Sequence, residues 1–66
     1  MPIVQIALFE GRSREKKHKL LESVSRAVAE SLEVPIERVR VYLVEFGKDD
    51  LAIAGVVAAK AEQQKS

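Results

Sequence analysis

Ile3-Val4-Gln5-Ile6-Ala7-Leu8-Phe9, directly behind Pro2, is an apolar run broken only by Gln5. Such a run is too short for a buried helix, and its Ile and Val content reads as a strand covered on both faces. A second run of the same character is Val39-Arg40-Val41-Tyr42-Leu43-Val44-Glu45-Phe46. Between the two, Glu10-Gly11-Arg12-Ser13 forms a turn, with Ser13 as helix N-cap and Glu15 in the first helical turn. From 14 to 32, Leu20, Leu21, Val24, Ala27, Val28 and Leu32 draw one apolar stripe on an α-helix. Pro35 ends it, because the residue before a proline is pushed out of the helical region. Gly47-Lys48-Asp49-Asp50 is a turn cluster. Residues 51–59 are small and apolar and fit a short hairpin plus a helical turn, while the polar residues 61–66 are expected to fray.

Strand, helix, strand implies an α/β (α+β) unit: one right-handed βαβ crossover with parallel strands, followed by the C-terminal hairpin or turn. One helix covers only one face of a two-stranded sheet, yet both strands are apolar on both faces. The other face therefore calls for another chain. The bulk numbers agree. A single domain spanning 1–66 is too small to bury more than about 60% of its unfolded surface. It is nevertheless 47% hydrophobic and has no cysteine to staple it. A homo-oligomer is the expected solution.

The same numbers narrow the function. Without cysteine, and with His18 as the one histidine, the chain offers no metal cluster and calls for no cofactor. A net charge of +1 marks no nucleic-acid binder. Nothing approaches the roughly 20 apolar residues of a membrane span, and no charged segment precedes the first run as in a signal peptide. A soluble cytoplasmic protein is expected.

Three residues stand out chemically. Removal of Met1 would leave Pro2 with a secondary amine, basic, nucleophilic and fixed by its ring. With Met1 retained, its nitrogen is a tertiary amide and Pro2 is only a proline at a strand's first position. Arg40 shares a strand face with Tyr42, Val44 and Phe46, where a lone buried charge is costly. It either pairs with a glutamate such as Glu45 or Glu37 or forms a bidentate fork for a substrate carboxylate. Arg12, at the mouth of the helix, is either a solvated loop residue or a grip for a second carboxylate. The basic run Arg12, Arg14, Lys16, Lys17, Lys19 has no interleaved aromatics for base stacking and reads as a solvated helix face. His18 is exposed among these lysines, and Glu10 and Glu45 form no acid–base pair.

Taken together, Pro2-Ile3-x-Gln5-Ile6, Glu10-Gly11-Arg12-Ser13 and Val39-Arg40-Val41 resemble the 4-oxalocrotonate tautomerase family of short tautomerases. The resemblance extends from Pro2 to about Lys60. It implies dimers of βαβ units sharing a four-stranded sheet, three of which make a hexamer. It also implies a keto–enol isomerase that converts 2-hydroxydienoate-type enols to α,β-unsaturated 2-oxo acids, as in aromatic degradation. Pro2 would be the general base. Arg12 and Arg40, from different subunits, would bind carboxylates, and Arg40 would polarise the 2-oxo group. Arg40 and an apolar pocket would disfavour the protonated amine and so tune the base toward neutral pH.

The family's pocket phenylalanine aligns with Leu51, which leaves the exact substrate open. Glycines of the family pattern are replaced by Ala52 and Ala54, with Gly55 retained, so the hairpin or its contact with neighbouring subunits is expected to differ, since alanine resists positive φ. Two alternatives stand beside this reading. One is a non-catalytic oligomeric carboxylate-binding module. The other is the hydratase and dehalogenase branch, disfavoured because its water-activating glutamate is matched by Ile53 and its extra arginine by Phe9.

Overall fold

The computed structural model describes residues 1–60, so the expected frayed tail at 61–66 lies outside the described residues. Strand β1 (Ile3–Phe9) leads into helix α1 (Arg14–Leu32), and β2 (Arg40–Phe46) returns parallel to β1. Register runs from Ile3 opposite Arg40 to Phe9 opposite Phe46. After a 3₁₀ turn at Lys48–Asp50, β3 (Ala52–Ile53) and β4 (Val56–Val57) form an antiparallel hairpin, with helical backbone at 58–60.

Local chemistry sets each boundary. The Ser13 hydroxyl accepts from the Lys16 amide at 3.2 Å, capping α1 at its expected start. Pro35 is not what ends the helix. Glu33 takes the left-handed conformation (φ 56°), and the Val34 amide bonds back to the Ala29 carbonyl at 3.1 Å. That closure is the usual way to satisfy last-turn carbonyls. Pro35 instead opens a 3₁₀ turn over Ile36–Arg38 that delivers the chain to β2.

Alternation divides the sheet into two faces. Val4, Ile6 and Leu8 with Val41 and Leu43 are half-buried on the face toward α1, where Leu20, Leu21, Val24 and Val28 pack. On the other face Ile3, Gln5, Ala7, Tyr42 and Val44 are exposed, the Tyr42 hydroxyl bonding to Gln5 Oε1 at 2.7 Å. Within one chain these strands are covered on one face alone. Among the described residues Val39 is the one buried hydrophobic side chain, at 9% exposure. No helix among them is long and apolar enough to cross a membrane.

The hairpin forms despite Ala54. A two-residue β-turn of the primed type needs positive φ at both positions. Ala54 (φ 53°) and Gly55 (φ 83°) supply it. Alanine therefore holds a left-handed position, at a cost of about 1–2 kcal/mol in backbone strain.

Candidate functional site

At the start of β1, the Arg40 amide donates to the Pro2 carbonyl at 3.0 Å, extending the parallel ladder by one rung. This bond fixes Pro2 at the sheet's edge. Pro2 and Val4 line a cleft of about 400 Å³ with Val24, Ala27, Val28 and Leu32 of α1. The surroundings of Pro2 are thus largely apolar. Met1 is 78% exposed, so the bond that must be cleaved to free the proline nitrogen is accessible.

Arg40 and Pro2 are neighbours through the backbone only. Arg40 belongs to the face with Ile3 and Tyr42, while Pro2 belongs to the helix face with Val4. The Arg40 guanidinium donates through Nη1 to the Glu37 carbonyl at 2.9 Å, held by the preceding 3₁₀ turn. The ion pair with Glu45 or Glu37 that would have explained Arg40 structurally does not form. Glu45 pairs instead with Lys17 of α1 at 3.0 Å, and Glu37 offers its backbone.

Arg12 lies at the opposite end, three residues past β1. Arg12 donates through Nη1 to the Phe9 carbonyl at 2.9 Å, the same three-residue backbone tether that holds Arg40. Leu51 is half-buried five residues beyond β2, its carbonyl taken by the Ala58 amide at 2.8 Å. Seven residues at ~3.3 Å each put this end about 23 Å from Pro2. One chain therefore joins Pro2 to Arg40 through the backbone and leaves Arg12 beyond the far end of the ladder. Both arginines are exposed, tethered to carbonyl oxygens and without a carboxylate partner among the described residues. Two guanidinium groups so placed retain donors for incoming anions.

The Arg12 end has a further feature. Phe9 and Phe46 face each other on the last rung of the ladder, ring centroids 5.0 Å apart and planes tilted by 55°. With Glu10, Gly11, Gly47 and Lys48 they line a cleft of about 370 Å³. Phe46 was not singled out from sequence, and Phe9 only as the match of another branch's arginine. Their joint placement follows from register, which pairing two seven-residue runs end to end would have revealed.

Comparison with known proteins identifies the family. The family model described as tautomerase enzyme matches residues 2–61. A 2-hydroxymuconate tautomerase of Pseudomonas putida is 48% identical over 60 residues, 91% of this chain and 95% of that protein. A structure from work on 4-oxalocrotonate tautomerase isozymes of Methylibium petroleiphilum superposes with a TM-score of 0.91 at 33% identity, covering 96% of this chain and 98% of the other. A heterohexameric 4-oxalocrotonate tautomerase of Chloroflexus aurantiacus gives 0.87 at 32% identity, covering 91% and 97%. A chain matched along nearly its whole length in both sequence and fold belongs to the tautomerase family, as a keto–enol isomerase of the short 4-oxalocrotonate tautomerase type.

Proposed function

We propose that this enzyme isomerises 2-hydroxydienoate-type enols to conjugated 2-oxo acids, with the freed amine of Pro2 as general base. The observation that carries the proposal is the placement of Pro2: it ends the ladder on the Arg40 amide and borders an apolar cleft. Apolar surroundings disfavour the protonated amine, which keeps the base available near neutral pH. Pro2 takes the proton from the enol oxygen or carbon and returns it to a distant carbon of the conjugated chain. Arg40 binds the carboxylate and 2-oxo group and stabilises the negative charge that develops on the dienolate oxygen. Arg12 grips the far carboxylate, and Leu51 forms part of the apolar wall.

About 23 Å separates the two ends of a single chain, so the complete site forms between copies in a homo-oligomer, expected to be a hexamer. The uncovered sheet face supports this reading, as does the heterohexameric assembly of the Chloroflexus relative.

The test is the Pro2→Ala variant of the protein freed of Met1, with the mature mass verified. Alanine keeps a free amine but loses the secondary amine and its ring. Turnover of 2-hydroxymuconate is expected to fall about 10²- to 10⁴-fold, the range for loss of a positioned general base. An unchanged rate would overturn the mechanism, and so would full activity with Met1 retained.

A further inference from the structure

One polar pair sits in the middle of the sheet face that α1 leaves uncovered. Gln5 and Tyr42 are direct partners across the ladder, and the Tyr42 hydroxyl donates to Gln5 Oε1 at 2.7 Å. Apolar residues flank the pair on that face: Ile3 is 60% exposed, Val44 39%, and Ala7 is exposed beside Val44. Parallel sheets occur almost only with both faces covered. Tyr42, 47% exposed in the single chain, is therefore covered once copies assemble.

The bond between the two side chains does not satisfy them. Tyr42 uses its one O–H and keeps lone pairs on the oxygen, while the Gln5 amide keeps two N–H donors. No other hydrogen bond reaches either side chain among the described residues. A donor covered without a partner costs stability. Yet the pair is its own complement, because an amide N–H of one copy suits the tyrosine oxygen of another. Closed symmetry presents the same pair on every copy.

We infer that Gln5 and Tyr42 set the register in which copies of this chain cover one another's outer sheet face, each Gln5 amide donating to the Tyr42 oxygen of a neighbouring copy. The inference rests on the homo-oligomer proposed above and names the contact that selects it. Selection follows from position. A slide of two residues, ~6.6 Å along the strand, keeps the same face inward. It sets the polar pair of one copy against Ala7 and Val44, or against Ile3 and Arg40, of the next. None of those side chains has an acceptor for the Gln5 amide. Apolar residues alone would accept either register. The pair thus acts as a single buried asparagine does in a coiled coil, fixing register at some cost in stability. An apolar strand from a foreign protein leaves the same donors unmet, which favours a second copy as the occupant.

Tyr42 reports on its own burial, since it is the single tyrosine and the chain has no tryptophan. In the mature oligomer, nitration of Tyr42 by tetranitromethane should be lost, and it should return on dilution to the free chain. Sedimentation equilibrium reads the contact itself. Tyr42→Phe and Gln5→Leu each leave one polar partner covered and unmet, and each should raise the dissociation constant roughly 5- to 100-fold per pair of copies. The double variant Gln5→Leu/Tyr42→Phe removes both needs, so its constant should return to within about threefold of the wild-type value. Native mass spectrometry should then show the double variant spread over several assembly sizes where the wild type shows one. Single effects that simply add in the double variant, or a double variant confined to the wild-type assembly, would overturn the inference. An oligomer in which Tyr42 nitrates freely would also overturn it, while the homo-oligomer stands. A wild type that sediments as a monomer at every concentration would remove the homo-oligomer and this contact with it, leaving the face to a partner of another kind.

Discussion

At the scale of single residues, Arg40 has the most to explain. A guanidinium at the exposed end of an apolar strand is held by one backbone carbonyl, with no ion-pair partner among the described residues. Sequence marked Arg40 as anomalous but could not separate an ion pair from a ligand fork, because partner choice depends on which strand face each glutamate occupies. Glu45 falls on the helix face and goes to Lys17, and this leaves Arg40 available. Charge and fork geometry then make distinct contributions that two variants separate. Arg40→Ala removes both, and kcat/KM should fall about 10- to 100-fold, as for loss of a charge-assisted hydrogen bond of roughly 1.5–3 kcal/mol. On the proposed mechanism an Arg40 guanidinium reaches Pro2 from a neighbouring copy, so its loss favours the protonated amine and the acid limb of the pH–rate profile moves to higher pH. Arg40→Lys keeps the charge but not the fork, so KM should rise while the acid limb stays in place. An acid limb that does not move in Arg40→Ala would show that this cation does not tune the base.

At the scale of elements, both long strands and the helix were legible because their periodicities are clear: two apolar runs of seven or eight residues and a stripe at 3.6-residue spacing. The exit from α1 was not. Pro35 looks like the stop, but the helix closes two residues earlier through a left-handed glutamate, a conformation that glutamate does not advertise in sequence. Ala54 is the same kind of case. A hairpin turn that needs positive φ was expected to resist alanine, but the strand pairing of Ala52 with Val57 and Ile53 with Val56 holds the residue there. Both positions therefore carry removable strain. Glycine relieves about 1–2 kcal/mol of steric cost at a left-handed position. It returns part of that, about 0.4–1 kcal/mol, as added freedom of the unfolded chain. Glu33→Gly and Ala54→Gly should each stabilise by roughly 0.5–1 kcal/mol. Since Glu33 ends α1 and Ala54 sits in the hairpin turn, their effects should add in urea unfolding at fixed protein concentration. Destabilisation by either variant would show that the left-handed backbone at that position is not strained.

The whole molecule does not close on itself. Its accessible surface is 5370 Å², whereas a compact monomer of 7.3 kDa should show about 4,200 Å². Its radius of gyration of 15.6 Å exceeds the roughly 11 Å of a compact domain of this length. Composition already suggested partner chains. The resemblance already implied a site shared between subunits. Parallel pairing, which puts Pro2 at one end of the sheet and Arg12 at the other, supports it. On the proposed mechanism the copies that cover the sheet also complete the chemistry. This makes complementation possible between two dead variants. Pro2→Ala chains keep Arg12, and Arg12→Ala chains keep Pro2, so neither homo-oligomer holds an intact site. Co-expressed in equal amounts and mixed at random, they should form about a quarter of their sites from an intact Pro2 and an intact Arg12 on different copies, provided one neighbour supplies each arginine. Activity on 2-hydroxymuconate should return to about that fraction of the wild-type value and should vanish on dilution below the assembly's dissociation constant. Activity no greater than the average of the two parents would mean that Pro2 and Arg12 do not meet across a subunit boundary, and the shared-site reading would fail.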